Sequence, residues 1–154
     1  MNYIGLNTCD TANGEGVRVS LFVSGCTLHC KDCFNKESWD FKAGNKFTKE
    51  TLDTIINALG EPYVKGFSLL GGDPFEHEHQ GTLLNLLATI KDVYPDKDIW
   101  CWTGRVLRDI KDSPLLPYID VLIDGAFVKT LYDASLKWRG SSNQRIIYLK
   151  EIKE

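Results

Sequence analysis

The segment VRVSLFVSGCTLHCKDC, residues 17–33, runs from a strand-like stretch straight into three cysteines. Valine, leucine and phenylalanine dominate residues 17–23, a composition that suits a pleated, buried strand. Cys26, Cys30 and Cys33 then fall within eight positions, and no nearby fourth cysteine follows. A loop carrying such chemistry directly after a strand is the arrangement of an α/β sheet, where ligands collect at the carboxyl ends of the strands.

The rest of the chain repeats that punctuation. FTKETLDTIINALG places Leu52, Ile55, Ile56 and Leu59 at helical spacing, with Thr48 as the expected N-cap and Gly60 as the stop. GFSLL (66–70) reads as a short buried strand ending in GGDP. A second helix is expected over roughly 81 to 94, with Leu83, Leu86, Leu87, Ile90 and Val93 on one side and Pro95 after it. DIWCW (98–102) is a strand ending at Thr103-Gly104, and a short helix follows around Val106, Leu107 and Ile110. IDVLI (119–123) ends at Asp124-Gly125, and RIIYL (145–149) is the last candidate strand. Strand and helix alternating at this spacing imply βαβ units and a parallel sheet of five or six strands. That number is too small for a closed eight-stranded barrel. An open, curved partial barrel and a flat doubly wound sheet both fit.

Composition narrows the function. The chain has 154 residues, 43% hydrophobic and 25% charged, which suits one globular domain spanning 1–154. The net charge is −3 and no basic stripe appears, which argues against nucleic acid as a partner. The N-terminus MNYIGLNTCD has no basic region followed by an apolar run, so no signal peptide is expected. Apolar stretches such as SLFV and DVLI are too short to cross a bilayer. A cytoplasmic setting follows as the expectation, and in a reducing compartment the five cysteines are expected to bind metal or do redox chemistry rather than form disulfides. Cys101, inside IWCW, reads as a small core residue, and Cys9 is left open.

Chance places two further cysteines at fixed offsets from any of the five only about half a percent of the time. Three readings of the cluster compete. Structural zinc needs a closed shell, so a fourth ligand would have to come from Cys9, Cys101, His29, His77 or His79. An electron-transfer iron–sulfur protein also needs four cysteines, usually with a tighter first gap than the three residues here. A 4Fe-4S cluster held by three thiolates has one iron without a protein ligand, open to bind substrate as a catalytic zinc keeps an open position.

CTLHCKDC has the CxxxCxxC spacing of the radical S-adenosylmethionine enzymes. NGEGVRVSLFVSGC, CFNKESW, GGDPF, KDIWCWTG, DVLIDGAFV and WRGSSNQR together resemble the activases of anaerobic ribonucleoside-triphosphate reductases, over residues 13 to 145. The resemblance implies an open partial (β/α) barrel of mostly parallel strands with helices outside. It implies Cys26, Cys30 and Cys33 as the ligands of a 4Fe-4S cluster whose fourth iron chelates S-adenosylmethionine. A flavodoxin-type or other one-electron reductant would reduce the cluster. The large subunit of the reductase would be the protein substrate, receiving a glycyl radical. Another glycyl radical enzyme or a small molecule is the alternative target, and a non-catalytic zinc or electron-transfer module is the alternative of a different class.

The same resemblance assigns the remaining candidates. Gly71, Gly72 and Asp73 match the glycine-rich strand end that holds the methionine amino group. Asp73 stands where many members have glutamate. Asp32, Cys33 and Phe34 match the segment that contacts adenine, although the usual aromatic before the last cysteine is here Asp32, with Phe34 following instead. Trp102, Thr103 and Gly104 sit at a strand end, where they would line the cofactor cleft or, for the Trp102 ring, serve packing, and Arg139, Ser141, Ser142 and Asn143 form a polar segment that reads as a contact to the cofactor, a contact to the partner protein or a solvated loop.

Overall fold

The computed structural model describes residues 1–30, 33 and 36–149. Its strands are β1 (Asn2–Asp10), β2 (Val17–Val23), β3 (Asn45–Lys46), β4 (Val64–Gly71), β5 (Asp98–Trp102), β6 (Val121–Asp124) and β7 (Arg145–Tyr148). They form one seven-stranded sheet in the order β3-β1-β2-β4-β5-β6-β7. The helices are α1 (Lys49–Leu59), α2 (Gln80–Val93) and the single turn α3 (Leu107–Ile110).

The expected parallel core is present: β2 pairs with β4, β4 with β5 and β5 with β6, all parallel. The flanks correct the expectation of five or six mostly parallel strands. β1 and β3 on one side and β7 on the other join antiparallel, so the sheet is mixed. The reason lies in the connections. A parallel neighbour needs a crossover long enough to return the chain, which α1 and α2 supply. β1 and β2 are joined by the short turn 11–16, and β6 and β7 by a segment whose described helical structure is one 3-10 turn (Lys129–Leu131).

The strand period of two decides which face is which. Val19, Leu21, Val23, Phe67, Leu69, Ile99, Cys101 and Leu122 point to one face and pack with Ile55 and Leu59 of α1, with Leu83, Leu86, Leu87 and Ile90 of α2, and with Ile110 of α3. Among the described residues the three α-helices therefore cover the same face, as in a two-layer sheet rather than a doubly wound one. Cys101 is fully buried in that layer, as its apolar setting predicts. Val93, expected on the apolar side of α2, is instead exposed at the helix end.

The opposite face is built differently. Trp100, Val121 and Ile123 cluster there with Trp102, Trp138 and Ile146. Beside them lies Arg18, with no exposed surface. Its guanidinium donates to the Ser68 hydroxyl at 2.6 Å, to the Phe67 carbonyl at 2.9 Å and to the Asp98 carboxylate at 2.6 Å, and it lies 5.4 Å from the Trp100 ring. Burial of a charge at this depth is tolerated only with such complete pairing.

α1 starts where the sequence indicates. Thr48 caps it in a reciprocal box with Thr51: the Thr51 amide donates to the Thr48 hydroxyl at 3.4 Å, and the Thr48 amide donates to the Thr51 hydroxyl at 3.1 Å. Gly60 follows as the C-cap. Among the described residues no helix is long and apolar enough to cross a membrane.

Candidate functional site

β2, β4, β5 and β6 end side by side, and their exit loops carry the residues singled out by sequence. A cleft of about 250 Å³ opens there. Cys26, Cys30 and Cys33 line it, together with Gly71, Gly72 and Asp73 from the end of β4 and Trp102, Thr103 and Gly104 from the end of β5. Three sequence-distant segments thus meet in one place. Asp32 and Phe34 lie outside the described residues.

The cysteine loop is held from both sides. The Gly25 amide donates to the Ser38 carbonyl at 2.6 Å and the Cys26 amide to the Trp39 carbonyl at 3.3 Å. Across the cleft, the Gly72 amide donates to the Val23 carbonyl at 2.7 Å and the Asp73 amide to the Gly25 carbonyl at 2.9 Å. These last bonds explain the glycine pair. Gly71 has φ +120°, and a Cβ there would strike the backbone of Val23; a Cβ on Gly72 would strike the backbone of Gly25. The absent side chains let β4 pass against the β2 exit as well as border the cleft.

Asp73 is fully buried. Its carboxylate accepts from the Thr103 hydroxyl at 2.9 Å, the Gly104 amide at 3.0 Å and the Phe75 amide at 2.9 Å. It is a brace between the ends of β4 and β5. Burial pushes the Asp73 carboxyl above its ordinary range despite these donors.

Burial also raises the Cys26 thiol, with Asp73 and Glu76 adding to the effect while the backbone amides of Leu28 and His29 oppose it. The Cys30 thiol is raised by burial and by Cys33. Metal binding by these thiols would therefore displace protons, as it does for cysteine generally.

The donor set suits an iron–sulfur cluster. Three thiols share one cleft, and soft thiolate ligands select such clusters. Cys9 is exposed on β1 and Cys101 is buried on the helical face. His29 is exposed, with φ +46° and its ring stacked 4.3 Å from that of Trp39; His79 is buried, its ring 5.5 Å from that of Phe41. None of these, nor His77, is among the described residues lining the cleft. Among the described residues no three His, Cys, Asp or Glu side chains are already gathered tightly enough to hold a single metal ion.

Several site residues carry no signal in isolation. Phe22, Leu70, Phe127 and Gln144 line the cleft. Glu76, two residues past Pro74, joins Thr27 of the cysteine loop to Arg105 beyond β5. The segment 139–144 is a hydrogen-bonded corner. The Ser141 hydroxyl, fully buried, donates to the Asn143 side-chain oxygen at 2.6 Å, and Gln144 accepts from the Gly140 and Ser141 amides at 2.9 and 3.1 Å. Trp102 donates its indole N–H to the Trp138 carbonyl at 2.6 Å, which fixes the ring in the cleft wall.

A family model described as a 4Fe-4S single cluster domain matches residues 12–147, a span that includes the cysteine loop and every strand end around the cleft. The fold and the site thus have the character of an iron–sulfur single-cluster domain. An anaerobic ribonucleoside-triphosphate reductase-activating protein of Vibrio cholerae is 46% identical over 150 residues, covering 95% of this chain and 97% of the relative. Its namesake from Haemophilus influenzae is 48% identical over 150 residues, with the same coverage. That of enterobacteria phage T4 is 42% identical over 146 residues, covering 95% of this chain and 93% of the relative. The chain belongs to the family of anaerobic ribonucleoside-triphosphate reductase-activating proteins.

Proposed function

We propose that this chain is a cytoplasmic radical S-adenosylmethionine activase, a single domain over 1–154, that forms a glycyl radical in the large subunit of an anaerobic ribonucleoside-triphosphate reductase. The observation that carries the reading is the convergence of Cys26, Cys30 and Cys33 with the Gly71-Gly72-Asp73 strand end in one open cleft. In this reading the three cysteines hold a 4Fe-4S cluster and leave its fourth iron free for S-adenosylmethionine. When bound and reduced by a flavodoxin-type donor, these groups would supply the one-electron chemistry that leaves a glycyl radical on the partner, with methionine and 5′-deoxyadenosine as products.

The chain's own residues would bind and orient the cofactor. Gly71 and Gly72 present backbone to the cleft, where the methionine end of the cofactor would lie. Asp73, fully engaged by Thr103, Gly104 and Phe75, keeps that strand end in place beside β5. Phe22, Leu70, Trp102 and Phe127 give the cleft an apolar wall against which the cofactor would pack. Residues 32–34 would contact the adenine. An open partial barrel would be the curvature the sheet needs to wrap the cluster, with the helices of the described residues on its outer face.

The test is anaerobic. The reconstituted, reduced protein is mixed with S-adenosylmethionine and a reductase large subunit, and the electron paramagnetic resonance spectrum of the reductase is recorded. A glycyl radical doublet that requires all three components supports the reading. Absence of the doublet, with S-adenosylmethionine cleaved, would assign the chain another target.

A further inference from the structure

We infer that Glu76 is a positioning residue that holds the cysteine loop in register with the glycine strand end; this rests on the activase reading above. Glu76 is 6% exposed, although it belongs to a residue type that is rarely buried without a partner. One carboxylate oxygen accepts the Thr27 amide at 2.8 Å, and the other accepts the Thr27 hydroxyl at 3.0 Å. The first oxygen also takes Arg105 Nη2 at 2.7 Å. The Glu76 amide in turn donates to the Asp73 carbonyl at 3.2 Å.

Thr27 directly follows Cys26. The peptide before Cys26 is already fixed by Ser38 and Trp39, and Glu76 fixes the peptide after it. The first cysteine is thereby clamped on both sides, and the clamp is anchored in the same turn that carries Asp73. A carboxylate suits the task because it offers acceptor sites for an amide, a hydroxyl and a guanidinium at once. Arg105 supplies the counter-charge that lets a carboxylate sit buried beside a thiol loop, and it also reaches Asp73 at 3.9 Å. The Arg105 end of the pair is a quarter exposed, so water screens it and its net contribution to stability is small. The arrangement therefore points to placement of the loop rather than to holding the fold.

The test compares wild type, Glu76→Ala and Glu76→Gln after anaerobic reconstitution. The readouts are the rate at which a chelator strips iron, the line shape of the reduced-cluster resonance, and the melting temperature of the apo protein. Glutamine keeps an acceptor for the Thr27 amide. The expected result is roughly tenfold faster iron loss and an altered line shape in Glu76→Ala, with Glu76→Gln close to wild type. A purely structural role would lower the melting temperature of Glu76→Ala and leave its iron-loss rate and line shape unchanged, which would overturn the inference. If Glu76→Ala fails to fold, Arg105→Met decides: faster iron loss supports the clamp, and the wild-type rate refutes it. If wild-type protein takes up no cluster at all, it is the activase reading that fails.

Discussion

Gly71→Ala separates two explanations of the glycine pair. If the glycines serve only to admit a ligand, an added methyl weakens cofactor binding and leaves the empty protein as stable as before. The structure gives another answer. Gly71 stands opposite Val23 in the β2–β4 ladder at φ +120°, and a Cβ would collide with the Val23 amide nitrogen and carbonyl oxygen. Holding alanine in that conformation costs about 1–3 kcal/mol. Forcing a methyl against packed atoms adds about 1–3 kcal/mol. Reduced freedom of the unfolded chain returns about 0.4–1 kcal/mol. The net expectation is about 1–5.5 kcal/mol of destabilisation, a large share of a typical folding free energy. The assay is urea unfolding of the apo protein, followed by circular dichroism. Gly81→Ala is the control, because its Cβ would meet nothing within 4 Å on α2, and it is expected to be neutral or stabilising by up to about 1 kcal/mol. A Gly71→Ala apo protein within about 0.5 kcal/mol of wild type would refute the packing argument.

Three further outcomes are expected. Arg18→Met removes a guanidinium with no exposed surface and leaves Asp98 and Ser68 without their donor, so it should cost about 3–5 kcal/mol in the same unfolding assay. Burial alone would raise the Asp10 carboxyl, but bonds from Ser20, Asn13 and the Ala12 amide hold it below its ordinary value of 3.8. Its contribution to stability is therefore present above 3.8 and is lost as pH falls through the lower folded value. The stability gap between wild type and Asp10→Asn should accordingly shrink between about pH 5 and about pH 2 in acid titrations of unfolding. Finally, Cys26→Ala, Cys30→Ala and Cys33→Ala should each fail to retain iron and sulfide on reconstitution, whereas Cys9→Ala and Cys101→Ala should load normally, as measured by metal and sulfide content.

The parts of the fold that were legible in sequence are those where side-chain burial enforces a period. β2, β4 and β5 are buried on at least one face along most of their length, and α1 and α2 each present an apolar stripe, so their residue patterns announce them. β1 carries no such pattern because its residues are half-buried or exposed until Asp10; its place comes from backbone pairing with β2, not from an apolar rhythm. β3 is two residues long and exposed. β7 was visible as a strand, but its antiparallel direction depends on the connection 125–144, which a local pattern does not encode. The site shows the same division. The cysteines, the glycine pair and Thr103-Gly104 are contiguous motifs and could be read. Glu76, Thr27 and Arg105 acquire their roles only when three loops distant in sequence are brought within hydrogen-bond reach. Asp73 was legible as a site residue, but its engagement by Thr103, Gly104 and Phe75 was not.

The proposed activity depends on three thiolates holding a cluster with one iron open to S-adenosylmethionine. Its most direct test is the electron paramagnetic resonance spectrum of the reconstituted, dithionite-reduced protein, recorded without and with S-adenosylmethionine, with 5′-deoxyadenosine assayed in the same sample. An open iron requires a reduced-cluster signal that changes on addition and 5′-deoxyadenosine as product. An unchanged signal with no 5′-deoxyadenosine would mean that the fourth iron is already occupied by a protein ligand, and would contradict the proposed activity.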